Sequence, residues 1–433
     1  MVIYMKEIKR DIYLNRLITR KGNGMVKIVT GIRRCGKSYL LFKLFKNHLI
    51  TSGVSEDRII ELALDEDINI KYRNPDCLSE YLRSKITNNS DMFYILLDEA
   101  QLAITDKELK SKEPIKLYGI LNGLLRRDNV DVYITGSNSK FLSSDVMTEF
   151  RGRGDEVRVF PLTFSEFMQV YEGDKYSAWR EYYTFGGLPF VLSKKTPEEK
   201  SKYLSDLFKF IYLQDIVERN NVHNGEALSI LTDVLASGIG ALTNPTKIAN
   251  TFESNGQKIS SATIYSYLGY LENAFIISPA LRYDVKGRKY ISTTKKYYFV
   301  DSGLRNARLN FRQIEEPHIM ENIIYNELLV RGYDIDIGMV EVIEKDKNGA
   351  KHQKQLEIDF VCNLGSKRYY IQSALTLFVA DKNVQENRPL RRIDDNFKKI
   401  IITGDNIIPH YNDEGILIVN LYDFLLNSNI MDF

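Results

Sequence analysis

The sequence predicts an α/β protein built from a parallel sheet domain, a helical lid or connector, a winged-helix segment and a second α/β domain. Short β-rich apolar runs alternate with amphipathic stretches from Val26 to Leu162, the pattern becomes mainly helical from Ser165 to Gly240, and a second helix-and-strand series begins after Pro317. Boundaries follow at 1–164, 165–240, 241–310 and 311–433. At roughly 150 residues per domain, 433 residues supply about three cores.

Composition narrows the function classes. Lys plus Arg number 59 and Asp plus Glu 57, a net charge of +2, which excludes a wholly basic nucleic-acid coat protein and makes any basic surface local. Hydrophobic residues at 44% and charged residues at 27% exclude a disordered chain. Cys35, Cys77 and Cys362 lie far apart, so neither a disulfide framework nor a Cys-pair zinc site is available. The five histidines show no metal spacing, and no apolar run approaches the ~18 residues of a membrane span. A soluble, cytoplasmic protein with no membrane partner is expected.

Strands are expected at 26–30, 58–64, 92–97, 130–135 and 155–162. Directly after the first come Gly31, Ile32, Arg33, Arg34, Cys35, Gly36, Lys37, Ser38 and Tyr39, matching G-x-x-x-x-G-K-[ST] and opening a helix. Phosphate oxygens need several donors converging on a small volume, which a Gly-rich turn and a helix N-terminus provide. Lys37 is assigned to the β- and γ-phosphates and the Ser38 hydroxyl to Mg²⁺. The third apolar run ends in Asp98 and Glu99, at the strand edge where open α/β sheets place ligands. Asp98 is assigned to the metal and Glu99 to polarising the hydrolytic water. The fourth strand ends in Gly136, Ser137, Asn138 and Ser139, where Asn138 or Ser137 is placed to sense the γ-phosphate. In the segment 151–154, Arg153 is read either as an arginine acting on the nucleotide of a neighbouring copy, implying a homo-oligomer, or as a solvated basic turn.

These motifs, followed by Pro161-Leu-Thr-Phe-Ser-Glu-Phe167, Gly186-Gly187-Leu188-Pro189, Gln214 to Arg219, Asp301-Ser-Gly-Leu-Arg305 and Glu357-Ile-Asp359-Phe360, resemble the bacterial and archaeal AAA-type ATPases that carry a C-terminal domain of unknown function. The resemblance spans nearly the whole chain and implies a P-loop NTPase fold and ATP binding.

Residues 244–301 give a short helix, a longer helix at 260–274 and a basic hairpin, the order of a winged helix. Arg282, Lys286, Arg288 and Lys289 on that hairpin are candidate DNA-phosphate contacts; the alternative is a winged helix used for protein contacts. The final segment resembles the core of PD-(D/E)XK nucleases, a restriction-endonuclease-like α/β fold. Glu327 and Asp359 match its first two acidic positions, but Gln372 stands at the second strand acid and Ala374 at the lysine. Glutamine is a weak neutral ligand and alanine carries no charge, so a scaffold without cleavage activity is expected.

The expected function is Mg²⁺-dependent ATP hydrolysis, with ATP and ADP as ligands, driving a winged helix that acts on DNA. The alternatives are a nucleotide-dependent protein-binding switch with slow hydrolysis, or an active C-terminal nuclease.

Overall fold

The computed structural model describes residues 7–87, 91–105, 108, 114–136, 152–345 and 351–433. The chain forms two compact units. One runs to Pro161 and includes Asn273–Phe275; the other comprises Leu162–Glu272 and Ile276–Phe433.

In the first unit, β1 (Val26–Thr30), β2 (Ile59–Ala63), β3 (Phe93–Asp98), β4 (Val130–Thr135) and β5 (Gly154–Arg158) form a parallel sheet in the order β2-β3-β4-β1-β5. Every residue of β1, β3 and β4 is buried, as central strands covered on both faces require. Val26, Ile28, Ile95, Leu97, Val132 and Ile134 pack one face against Leu78 and Leu82 of helix Pro75–Lys85 and Leu117 and Leu121 of helix Lys116–Leu124. On the other face, Tyr133 meets Phe45 of the helix over residues 37–51 with ring centroids 4.5 Å apart. That face also buries Lys27, which pairs with Asp131; the Tyr133 hydroxyl and the Gly22 amide each donate to Asp131 at 2.9 Å. The added donors satisfy the remaining oxygen of a pair that would otherwise be costly to bury.

The fifth strand is shorter than the sequence pattern suggests. Beyond Arg158 the chain leaves the ladder because its carbonyls serve elsewhere: Arg10, itself buried, donates to Phe160 O at 2.8 Å and to Cys35 O at 2.8 Å. Tyr13 reinforces this corner, its hydroxyl accepting from Phe160 N at 3.2 Å.

The second unit contains helices Lys175–Phe185, Gly225–Ser237, Pro245–Ser254 and Ser261–Asn273, a continuous helix over 197–219, and a nine-stranded sheet. Its strands are β6 (Leu242–Thr243), β7 (Ile277–Asp284), β8 (Lys289–Phe299), β9 (Asp334–Lys345), β10 (Lys351–Leu364), β11 (Lys367–Ala374), β12 (Lys398–Thr403), β13 (His410–Tyr411) and β14 (Leu417–Asn420). The order is β13-β14-β12-β11-β10-β9-β7-β8-β6. The two helices and hairpin expected between 244 and 301 are present, but β7 pairs in parallel with β9, Leu281 opposite Asp336. The hairpin is therefore continuous with the sheet of the final segment across residue 310. Phe164, Phe167 and Trp179 lie in one core with Ile319, Ile323, Ile400 and Leu417. Among the described residues no helix is long and apolar enough to cross a membrane.

Two motifs separated by over a hundred residues close on each other in this unit. Asp301 is fully buried and accepts from Gly187 N at 2.7 Å and Leu304 N at 2.9 Å, capping helix Ser302–Arg308. Gly186, at φ 76°, has no room for a side chain, since a Cβ would fall 2.2 Å from Asp301 Oδ1. Burial pushes the Asp301 carboxyl up to about 6, against amides that favour its ionised form. In the unfolded chain it releases its proton near pH ~4. Native stability from this group is therefore greatest at low pH and falls as pH rises from about 4 to about 6, by an amount on the order of 3 kcal/mol. Urea unfolding of wild type and Asp301→Asn across that range should show the wild-type advantage shrinking as pH rises. An advantage that grows instead would mean that the amides outweigh burial.

Candidate functional site

The loop between β1 and the helix over 37–51 is curled by residues in left-handed conformations: Gly31 at φ 137°, Arg34 at 65° and Gly36 at 101°. Gly31 is fixed by contact as well, since a Cβ there would sit 2.0 Å from Val159 O. Ile32 and Cys35 point inward and are fully buried, while Arg33 is half-buried and Arg34, Ser38 and Tyr39 are exposed. Lys37 lies folded over the loop, its ammonium donating to Gly31 O at 2.9 Å and Ile32 O at 3.1 Å. The result is a positive charge at the mouth of a backbone turn that opens a long helix, the arrangement that gathers phosphate oxygens.

The strand order sets β1 beside β4 and β4 beside β3, so the ends of all three meet. Asp98, buried at the end of β3, accepts hydrogen bonds from the Ser38 and Thr135 hydroxyls. Burial raises its pKa, the two hydroxyls oppose that rise, and the charges of Glu99 and Asp65 add to it. Thr135 also accepts from Glu99 N at 3.0 Å. Glu99 adopts a left-handed backbone at φ 49°, which turns it out of the strand, and its carboxylate accepts from the Gln101 side-chain amide.

Ser38, Lys37, Asp98 and Glu99 are thus brought together. Thr135, Gln101 and Arg10 were not among the expected residues. Thr135 carried one signal, a hydroxyl at the last position of a buried strand; Arg10 carried none, because its partners are distant carbonyls. Asn138, Ser137 and Arg151 lie outside the described residues. Arg153 is exposed, and its carbonyl accepts from Val26 N at 2.8 Å, at the start of β1. That places it at the opposite end of β1 from its own phosphate loop, roughly 16 Å away by strand rise.

In the second unit the acidic positions are distributed differently from expectation. Glu327 is buried against Arg331 at 2.9 Å, and Arg331 in turn stacks on Phe424. The helix Glu316–Val330 instead presents Glu321, which accepts from Lys296 at 3.1 Å and from the Tyr298 hydroxyl at 2.6 Å. Lys296 also reaches Glu357 at 2.6 Å. Asp359 sits where the β9–β10 register shifts and accepts from Ser373 N at 2.7 Å. Burial, then Glu321, raises the Asp359 pKa well above the usual carboxylate range, while Lys296 opposes the rise. For Lys296, burial disfavours the charge, but Glu321, Asp359 and Glu357 outweigh it and the pKa is raised. Gln372 donates to Glu386 at 2.8 Å, and Ala374 is buried without charge.

The basic hairpin is smaller than its composition suggests. Arg282 is buried, donating to Thr294 at 3.2 Å and Gln355 at 3.0 Å, so it is withdrawn from any surface contact. Lys286, Arg288 and Lys289 are exposed at the turn, where Gly287 N donates to Asp284 at 2.9 Å.

Comparison with known proteins accords with this architecture. A family model described as an AAA domain matches residues 23–168, and one described as a Domain of unknown function (DUF8612) matches residues 176–315. An uncharacterized protein of Haemophilus influenzae is 32% identical over 424 residues, covering 97% of this chain and 98% of that protein. An uncharacterized protein of Methanocaldococcus jannaschii is 28% identical over 430 residues, covering 95% and 86%. Among solved structures, a Walker-type ATPase of Pyrococcus abyssi is 17% identical with a TM-score of 0.49, covering 70% of this chain and 96% of that one. With a relative this similar along its whole length and an AAA domain over its P-loop sheet, the chain belongs to the family of AAA-type P-loop ATPases that carry a C-terminal domain of unknown function.

Proposed function

We propose that the protein binds ATP with Mg²⁺ and hydrolyses it, and that the second unit couples turnover to DNA. The observation that carries the first part is the shared contact of Ser38 and Thr135 with Asp98, which sets a hydroxyl and a carboxylate beside Lys37 and the loop amides. That donor set suits a triphosphate and a hard divalent cation, which takes its other oxygens from phosphate and water. When bound, the cation supplies charge neutralisation at the β- and γ-phosphates. Lys37 leaves its carbonyl partners for the phosphates, and Glu99 accepts a proton from the attacking water.

Lys37→Ala should weaken ATP binding by about 1.5–3 kcal/mol, the value of a charge-assisted contact, read by titration with a fluorescent nucleotide. Glu99→Gln should retain that affinity and lose steady-state turnover. Unchanged affinity in the first variant, or full activity in the second, contradicts the assignment.

DNA binding rests on Lys286, Arg288 and Lys289, exposed together on one turn, and on helix Ser261–Asn273, whose Tyr265 is 55% exposed. Neutralising all three should flatten the dependence of log affinity on log salt by about 2.7, near 0.9 per phosphate contact. A salt slope that the triple variant leaves unchanged, with ATPase unaffected by DNA, favours a nucleotide-dependent protein-binding switch.

For the nuclease-like cluster, the inference is a scaffold without cleavage. Lys296 already lies between Glu321 and Glu357, where a divalent cation would need those oxygens. No Mn²⁺-dependent nicking of supercoiled DNA is expected; nicking that disappears in Asp359→Ala would overturn this.

A further inference from the structure

Two side chains stand side by side at the end of β3, and only one has a role so far. The turn that follows Glu99 is short and packed: Ala100 and Ala103 are fully buried, and Leu102 N donates to Glu99 O at 2.9 Å. This geometry returns Gln101 alongside Glu99, and the Gln101 amide nitrogen donates to Glu99 Oε2. The other end of the same amide, Gln101 Oε1, is buried and finds no hydrogen-bond partner among the described residues. Such an orphan carbonyl is costly, and in a native site it calls for a partner, an ordered water or a ligand.

A water attacking the γ-phosphate has two hydrogens to place. One goes to the base; the other, left free, allows the water to rotate away from the in-line direction. Glu99 is one acceptor and Gln101 Oε1, fixed to it through the same amide group, is a second. We propose that Gln101 is a water-orienting catalytic residue: its N–H holds Glu99 in place and its carbonyl accepts the second hydrogen of the attacking water. This rests on the hydrolytic role proposed for Glu99. In the step, the water oxygen bonds to the γ-phosphorus and the bond from that phosphorus to the bridging oxygen breaks, its electron pair leaving with ADP. One proton passes to Glu99. The other stays on the oxygen that becomes the phosphate hydroxyl, held meanwhile by Gln101.

The test compares Gln101→Ala, Gln101→Met and Gln101→Glu in the full chain, each checked for thermal melting. The methionine retains the side chain's bulk without either polar group. Expected are an ATP affinity close to wild type, a KM little changed, and a kcat lower by on the order of 10–100-fold in the alanine and methionine variants. Loss of kcat at unchanged KM and unchanged nucleotide affinity in both variants is the signature of a group that acts on the attacking water. Gln101→Glu keeps two acceptor oxygens but adds a like charge, so it should recover part of the lost rate only at high pH. A residue that merely packs the turn would shift melting in Gln101→Ala and leave kcat near wild type in the isosteric Gln101→Met. Wild-type kcat in Gln101→Ala and Gln101→Met, with Glu99→Gln inactive, would overturn the role of Gln101 alone. Full activity in Glu99→Gln would remove the hydrolytic role on which it rests.

Discussion

The candidate site depends on one buried carboxylate. Asp98 accepts hydroxyls from Ser38, which opens a helix after β1, and from Thr135, which ends β4. Adjacent strands lie about 4.8 Å apart, so groups at the same height on three neighbours are within one side chain of each other. The strand order puts β1, β4 and β3 in that relation, although they end at Thr30, Thr135 and Asp98, far apart in sequence. Thr135 extends the contact to the Glu99 amide, so the position of Glu99 follows from the same carboxylate. Removing Asp98 would disconnect the phosphate loop from the acidic turn, whatever ligand is bound.

A second constraint supports the loop from below. Gly31 must be glycine because Val159 O occupies the place of a Cβ, and Val159 is held there because the next carbonyl, that of Phe160, is bonded to Arg10. Arg10 bonds Cys35 O as well. One guanidinium, with its fixed fork of donors, thereby ties the loop to the segment that follows β5.

The parallel sheet was legible because its strands are continuous apolar runs with clear turns between them, and four of five were located within a residue or two. Lys37, Asp98 and Glu99 were legible because a phosphate loop and an acidic strand end have fixed spacing to secondary structure. Thr135 and Gln101 were not, since a threonine at a strand end and a glutamine in a turn are common, and only the meeting of distant segments gives them partners. The helix acid of the second unit was misplaced for a geometric reason. Glu321 and Glu327 lie six residues apart, about 600° of helix rotation, so they project in different directions. Periodicity does not say which of them faces Asp359. The hairpin was read as four surface cations, yet Arg282 alternates inward along β7, a consequence of period-two geometry once β9 lies beside it.

Lys296 deserves its place among the carboxylates for one more reason. A charge carried on the chain is synthesised with the protein, arrives in fixed stoichiometry and cannot be washed out. The positive charge that faces Glu321 and Glu357 on this sheet is thus inherited with the sequence itself.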